Sequence, residues 1–122
     1  MGADQVRIVV VDDNVDSAES LAELMRLNGY AVWTAHSAQS ALTLIEQEGP
    51  HCVLFDIVMP GMSGDELCRK LRERYGDDIV LIAVSGCSDT DPRVDESFTM
   101  ADHYFTKPID PVALEKLFRH VR

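Results

Sequence analysis

Positive charge is scarce in this sequence, and its scarcity excludes one class of function. The 122 residues include 11 Lys and Arg against 21 Asp and Glu, a formal net charge of −10. Because nucleic-acid binding needs a basic surface, we expect this domain to make no contact with DNA or RNA. Long apolar runs are missing too: none approaches the ~20 residues of a membrane span, and no basic region precedes the first apolar run, as it would in a signal peptide. We therefore expect a cytoplasmic protein that does not bind membranes.

Organised cysteine and glycine motifs are also absent. The three cysteines, Cys52, Cys68 and Cys87, show no CxxC spacing, so we expect buried free thiols rather than a metal site or a disulfide framework. The chain contains no GxGxxG and no GxxxxGK[ST], which disfavours a nucleotide-binding module. It also has no internal repeat and no interdomain linker, and its length suits one domain. We predict a single domain over residues 1–122.

Two hydrophobic periodicities alternate along the chain. Short apolar runs predict strands at 6–11, 30–34, 52–55, 79–84 and 103–106. Helical spacing predicts helices at 15–27, from a cap at Ser37 to about 47, at 64–75, at 92–100, and from a cap at Asp110 to about 121. Strict alternation of this kind predicts an α/β fold, with a five-stranded parallel sheet and helices on both of its faces.

Polar residues follow four of the five predicted strands. They are Asp12-Asp13, Asp56, Ser85-Gly86 and Lys107-Pro108, whereas Ala35-His36 after the second strand offers no obvious group. Ligands of such sheets bind beyond the carboxyl ends of the strands. We therefore expect three carboxylates, a hydroxyl and an ammonium group to converge at one edge.

This set of groups suits magnesium and a phosphoryl group. Three adjacent carboxylates repel one another unless a cation lies among them, and oxygen ligands at a rigid edge favour Mg²⁺. Lys107 and Ser85 add an ammonium and a hydroxyl donor, and Gly86 lets a backbone N–H approach the ligand. Asp56 is central in a 2-1-3-4-5 strand order and is the candidate nucleophile, because a carboxylate can form an acyl phosphate. We expect its side chain to face metal, lysine and solvent rather than to be fully buried.

The sequence resembles the receiver domain of two-component response regulators. The matching motifs are VVVDDN at 9–14, FDIVMPGMSGDEL at 55–67, AVSG at 83–86 and DHYFTKP at 102–108. The resemblance covers nearly the whole chain. It implies a flavodoxin-like, doubly wound (βα)5 fold with a parallel sheet in the order 2-1-3-4-5.

The resemblance also implies a role for each matching residue. Asp56 would be the phosphoacceptor, and Mg²⁺ would be bound by Asp13 directly, by Asp12 through water, and by the backbone carbonyl of Val58. Ser85 would be the switch hydroxyl, and Lys107 the phosphate-binding lysine. Pro108 would follow a cis peptide bond, and Tyr104 would be the aromatic residue whose rotamer reports activation.

The expected partners follow from the same resemblance. The phosphoryl donor would be a phosphohistidine on a sensor histidine kinase or a histidine phosphotransfer protein. Phosphorylation would change an output surface, defined here as residues 92–100, 103–106 and the helix that begins after Asp110. The same surface is the one expected for a homodimer. The chain would catalyse only its own phosphorylation and dephosphorylation and would not be an enzyme in the usual sense.

Two other functions stay open at this point. An aspartyl phosphatase of the haloacid dehalogenase type also places a nucleophilic Asp after an apolar strand, but it needs a second acid two residues on, where this chain has Val58. A module that binds partners without being phosphorylated would not need the full polar set.

The residues that flank the site predict a long-lived acyl phosphate. Val58 and Cys87 stand where the family often carries polar groups that tune dephosphorylation. Neither side chain can readily position an attacking water molecule. We therefore expect slow decay of the phosphorylated mass after the donor is removed, measured by intact-protein mass spectrometry. A half-life of seconds would contradict this expectation.

Overall fold

A computed structural model describes residues 6–56, 64–85, 101–106 and 110–118. In these ranges five strands alternate with four helices, in the order β1 (Arg7–Val11), α1 (Val15–Leu27), β2 (Ala31–Ala35), α2 (Ala38–Glu48), β3 (Cys52–Asp56), α3 (Gly64–Tyr75), β4 (Val80–Ser85), β5 (His103–Thr106) and α4 (Pro111–Phe118). The helix predicted at 92–100 lies outside the described residues, so α4 is the helix predicted to begin after Asp110. No helix within these ranges is both long and apolar enough to cross a membrane.

The five strands form one sheet in the order β2-β1-β3-β4-β5. Every neighbouring pair is parallel. In the register, Val11 lies opposite both Ala35 and Phe55, and Asp56 lies opposite Val84. The carboxyl ends of β2, β1, β3 and β4 therefore lie along one edge. The flavodoxin-like fold and the strand order predicted from the sequence are confirmed.

The core consists of two layers separated by the sheet. Side chains on a strand point alternately to opposite faces, so Val53 and Phe55 pack towards α2 and α3, whereas Cys52 and Leu54 pack towards α1 and α4. All four are buried. Burial of one such large apolar side chain stabilises the fold by about 1.5–3 kcal/mol. Burial on both faces explains why these strands have continuous rather than alternating hydrophobicity.

The helix ends use the caps that the sequence predicts. The Ser37 side chain accepts a hydrogen bond from the Ser40 N–H at 3.1 Å, and Asp110 accepts one from the Val112 N–H at 3.0 Å. Gly49 ends α2 in the left-handed conformation with φ of 58°, which favours glycine because it has no Cβ. Its N–H donates to the Ile45 carbonyl at 2.9 Å. These contacts satisfy backbone groups that helix ends would otherwise leave without partners.

Three strands begin one residue later than predicted. β1 begins at Arg7 rather than at residue 6. β2 begins at Ala31 rather than at residue 30, because the Tyr30 N–H still donates to the Met25 carbonyl at the end of α1. β4 begins at Val80 rather than at residue 79, although Ile79 is buried. Hydrophobicity predicts burial, whereas hydrogen bonding to the neighbouring strand determines where a strand begins.

An ion pair near the amino ends of β4 and β5 joins α3 to the residue that precedes β5. One carboxylate oxygen of Asp102 accepts a hydrogen bond from the Leu81 N–H at 2.8 Å and lies 2.8 Å from an Arg72 guanidinium nitrogen. The Asp102 N–H donates to the Leu81 carbonyl, also at 2.8 Å. Asp102 therefore binds both backbone groups of Leu81 and extends the pairing of β4 and β5 by one residue.

Cys52 is a buried free thiol, as predicted. Its burial raises the pKa of the thiol from an ordinary value of 9.0 to about 12, and the charge of Asp102 adds to the effect. Loss of the proton is unfavourable because the thiolate would lose its hydration. The thiol therefore stays protonated in the folded protein at a pH that ionises it in the unfolded chain.

This shift predicts a loss of stability at alkaline pH. The contribution of Cys52 is fully present below pH 9.0 and is lost as the pH rises towards about 12, by up to about 1.4 kcal/mol per pH unit. In denaturant unfolding under reducing conditions, the difference in unfolding free energy between wild type and Cys52→Ala should shrink above pH 9.0. Val53→Ala, a buried change on the same strand that keeps the thiol, should give a constant difference. A constant difference for Cys52→Ala as well would contradict the prediction.

Candidate functional site

Three carboxylates meet where β1 and β3 end. Asp12 and Asp13 directly follow β1, and Asp56 is the last residue of β3. Since Val11 lies opposite Phe55 in the parallel register, the two strand ends are neighbours. One carboxylate oxygen from each of the three residues lies within 4.8 Å of the others. The convergence predicted from the sequence is present for these residues.

Asp12 is held at both its backbone and its side chain. Its N–H donates to the Ala35 carbonyl at the end of β2, at 3.0 Å. Its Oδ1 accepts a hydrogen bond from the Asn14 N–H at 3.0 Å, and the Asn14 side chain in turn caps α1 through the Ser17 N–H. Asp12 is only 6% exposed. A buried carboxylate needs such partners, and they fix where its charge lies.

The end of β2 contributes a residue that the sequence did not indicate. Nδ1 of His36 lies 3.4 Å from the backbone carbonyl of Asp12. His36 and Ala35 therefore contact both backbone groups of Asp12 from the neighbouring strand. The signal available in the sequence was position alone: His36 follows the strand that neighbours β1 in a 2-1-3-4-5 order.

The three carboxylates differ in exposure. Asp12 is buried, Asp56 is half-buried and Asp13 is exposed. The expectation that Asp56 is not fully buried is confirmed, and the buried carboxylate is instead Asp12. Near a protein surface, two charges 4.8 Å apart repel by about 3 kcal/mol, and by less where water screens them. A cation among the three oxygens would remove this repulsion, and an all-oxygen set suits a hard metal ion. The cluster can therefore hold a metal ion.

β4 and β5 bring two further predicted residues towards this region. Ser85 ends β4, where its backbone pairs with Thr106, one residue beyond the Asp56–Val84 pair. Tyr104 lies on β5 opposite Ala83, is half-buried, and packs against the core layer of α2 and α3. The structure therefore places the backbone of Ser85 at the same edge as Asp56. The other predicted site residues, Val58, Gly86, Cys87, Lys107 and Pro108, lie outside the described residues.

Comparison with known families agrees with this arrangement. Residues 8–119 match the family described as the response regulator receiver domain. The chain belongs to this family. The matched residues include the three clustered carboxylates, Asp12, Asp13 and Asp56.

Known relatives match nearly the whole of this chain over about half of their own length. The response regulator MprA of Mycobacterium tuberculosis strain H37Rv is 38% identical over 117 residues, covering 96% of this chain and 49% of the relative. MprA of Mycobacterium avium is 37% identical, with 96% and 50% covered. The chain thus spans about half the length of these relatives.

Solved structures show the same fold. A CheY-like response regulator receiver domain protein from Methanospirillum hungatei superposes with a TM-score of 0.85 at 31% identity, covering 94% of this chain and 91% of the other. A response regulator receiver protein from Pseudomonas putida gives a TM-score of 0.83 at 26% identity, covering 94% and 96%.

The carboxylate cluster predicts how a charge-removing substitution acts. Asp13→Asn should lower the affinity for a divalent cation, probed with Mg²⁺, by about tenfold or more, because one of the three clustered carboxylates is lost. The same substitution should slightly stabilise the cation-free protein, because it relieves repulsion. A thermal-unfolding titration with Mg²⁺ and with EDTA measures both effects.

Asp16→Asn is the matched control for this titration. Asp16 is an exposed acid in the first turn of α1, so its substitution removes the same charge outside the cluster. It should leave the response to Mg²⁺ unchanged. An equal loss of response in both variants would show that general surface charge, and not the cluster, attracts the cation.

Proposed function

We propose that Asp56 accepts a phosphoryl group from a phosphohistidine and that the resulting acyl phosphate is the signal carried by this receiver domain. One observation supports this function most: the half-buried carboxylate of Asp56 ends the central strand β3 beside Asp12 and Asp13. A nucleophile in this position is accessible from solvent at the open edge of the sheet. The donor would be a sensor histidine kinase or a histidine phosphotransfer protein.

The chemical step is a phosphoryl transfer between two proteins. A carboxylate oxygen of Asp56 attacks phosphorus, the P–N bond of the phosphohistidine breaks, and its electron pair goes to the imidazole nitrogen of the donor. Because the β3 backbone is paired on both sides, with β1 and with β4, Asp56 is held on a rigid element. Such positioning lowers the barrier by reducing the entropy lost on reaching the transition state.

Asp12, Asp13, Asp56 and the backbone carbonyl of Val58 are the proposed ligands of Mg²⁺. Three convergent carboxylate oxygens fit a small, hard cation that binds few protein ligands and keeps waters. When bound, Mg²⁺ would neutralise charge on the phosphoryl oxygens. Lys107 and Ser85 are the proposed donors to the same oxygens, and Gly86 permits close approach of the backbone.

The proposed response is a shift between two conformations. A phosphoryl group on Asp56 would favour the conformation in which Ser85 and Tyr104 turn towards it. Tyr104 lies on β5, which belongs to the output surface, so its rotamer would carry the change to a partner or to a second copy of this chain.

Three further properties remain predictions from the sequence: a single domain over 1–122, a cytoplasmic location and no contact with nucleic acid.

The alternative functions differ in support. The family match over 8–119 is to a receiver domain and lends no support to an aspartyl phosphatase. We infer that the chain catalyses only its own phosphorylation and dephosphorylation. Recognition of partners without phosphorylation would make the acidic cluster unnecessary, and the same experiment tests this alternative.

Phosphorylation by acetyl phosphate tests the proposed function. With acetyl phosphate and Mg²⁺, the intact mass should rise by one phosphoryl group in wild type and stay unchanged in Asp56→Ala, because the nucleophile is missing. Asp78→Asn, an exposed acid in the turn before β4, should become phosphorylated like wild type.

Two outcomes would contradict the proposed function. If the mass of wild type does not change, the domain acts without phosphorylation. If it continuously releases phosphate from a phosphoester substrate, the domain is a phosphatase.

A further inference from the structure

β2 forms one outer edge of the sheet. On its inner side, the Ala31 N–H donates to the Val6 carbonyl, and the Ala35 carbonyl accepts from the Asp12 N–H, each at 3.0 Å. Backbone groups alternate in direction along a parallel strand. Val32 and Thr34 therefore direct their backbone groups outwards, where another strand would add.

The sequence of this edge carries none of the usual protection against strand addition. Residues 30–35 read YAVWTA, with no charged residue and no proline. Exposed edge strands are usually protected by charges, prolines or bulges, and segments rich in β-branched and aromatic residues pair readily with copies of themselves. Protection of this edge must therefore come from another element.

That element is α1, through Arg26 in its last turn. Nε and Nη2 of Arg26 donate to the outward carbonyl of Val32 at 3.1 and 2.7 Å. A guanidinium held by two hydrogen bonds on one acceptor has a fixed orientation. It occupies the acceptor that an incoming N–H would need, and it places a positive charge at the edge.

Glu19, two turns earlier on α1, supports this arrangement. Its Oε1 lies 4.0 Å from Nη1 of Arg26, and its Oε2 accepts a hydrogen bond from the Thr34 hydroxyl at 2.6 Å. Glu19 therefore joins Arg26 to the second outward-facing residue of β2. Arg26 therefore covers the outward carbonyl of Val32, and Glu19 links Arg26 to the side chain of Thr34.

We propose that Arg26 and Glu19 close the outer edge of β2 against strand addition by a second copy of this chain. Two identical edges are self-complementary when they pair antiparallel about a two-fold axis, so a second copy is the partner that this edge fits once uncovered. The resulting dimer would continue the sheet from one copy into the other. It would differ from a dimer through the output surface, which includes β5 at the opposite edge of the sheet.

Sedimentation velocity over a concentration series tests the proposed closure, with the protein unphosphorylated. Arg26→Ala should self-associate about tenfold more tightly than wild type, because the Val32 carbonyl becomes available to an incoming strand. Arg74→Ala is the matched control: Arg74 is an exposed arginine of α3, 3.7 Å from Glu46, and its loss changes the charge equally. It should behave as wild type.

A second substitution assigns any dimer to this edge. Thr34→Pro removes the outward N–H of Thr34, a change that edge strands tolerate. Arg26→Ala combined with Thr34→Pro should return to the sedimentation of wild type. Circular dichroism verifies that each variant is folded. If Arg26→Ala unfolds, Arg26→Met replaces it, because methionine keeps an aliphatic side chain and has no N–H donor.

Two results would overturn the proposal. In one, the folded Arg26 variant associates no more than Arg74→Ala. In the other, its self-association persists in the double variant, so that another surface mediates it.

Discussion

The mutual repulsion of three carboxylates at one edge of the sheet is the constraint on which the rest of this structure depends. Oxygens of Asp12, Asp13 and Asp56 lie within 4.8 Å of one another, and such a group would spread apart on a soft support. The support is rigid because β1 and β3 are central, paired strands buried on both faces. Hydrogen bonds from Asn14 and to Ala35 then fix Asp12 where its charge is least screened. The well-packed core in this way fixes the positions of the three carboxylates at the carboxyl ends of the strands.

Much of the fold was predictable because most elements follow simple patterns. The helix at 64–75 and the strand at 103–106 have the predicted bounds, since helical spacing and a short apolar run indicate them directly. β1, β2 and β4 begin one residue late because a boundary depends on hydrogen bonds to another segment, as when the Tyr30 N–H remains bonded to Met25. Periodicity within one segment cannot reveal such a bond.

The site was predictable to the extent that strand ends converge in a parallel sheet. That rule selected the three clustered carboxylates. It could not select His36, which follows β2 and contacts Asp12 at the end of the neighbouring strand β1. It also could not show that Asp12 is the buried carboxylate. It was equally silent on Asp102 bound to Leu81 and on Arg26 bound to Val32. In each of these contacts a polar side chain binds the backbone of a residue in another segment of the chain. Hydrophobic patterns do not indicate such contacts.

The division of the core into two layers makes the packing of one face of the sheet independent of the packing of the other. Tyr104 packs in the layer of α2 and α3, whereas Val32 belongs to the layer of α1 and α4. The backbone of the five-stranded sheet separates the two layers. We therefore expect a substitution beside α1 to change the packing around Val32 while the surroundings of Tyr104 keep their shape.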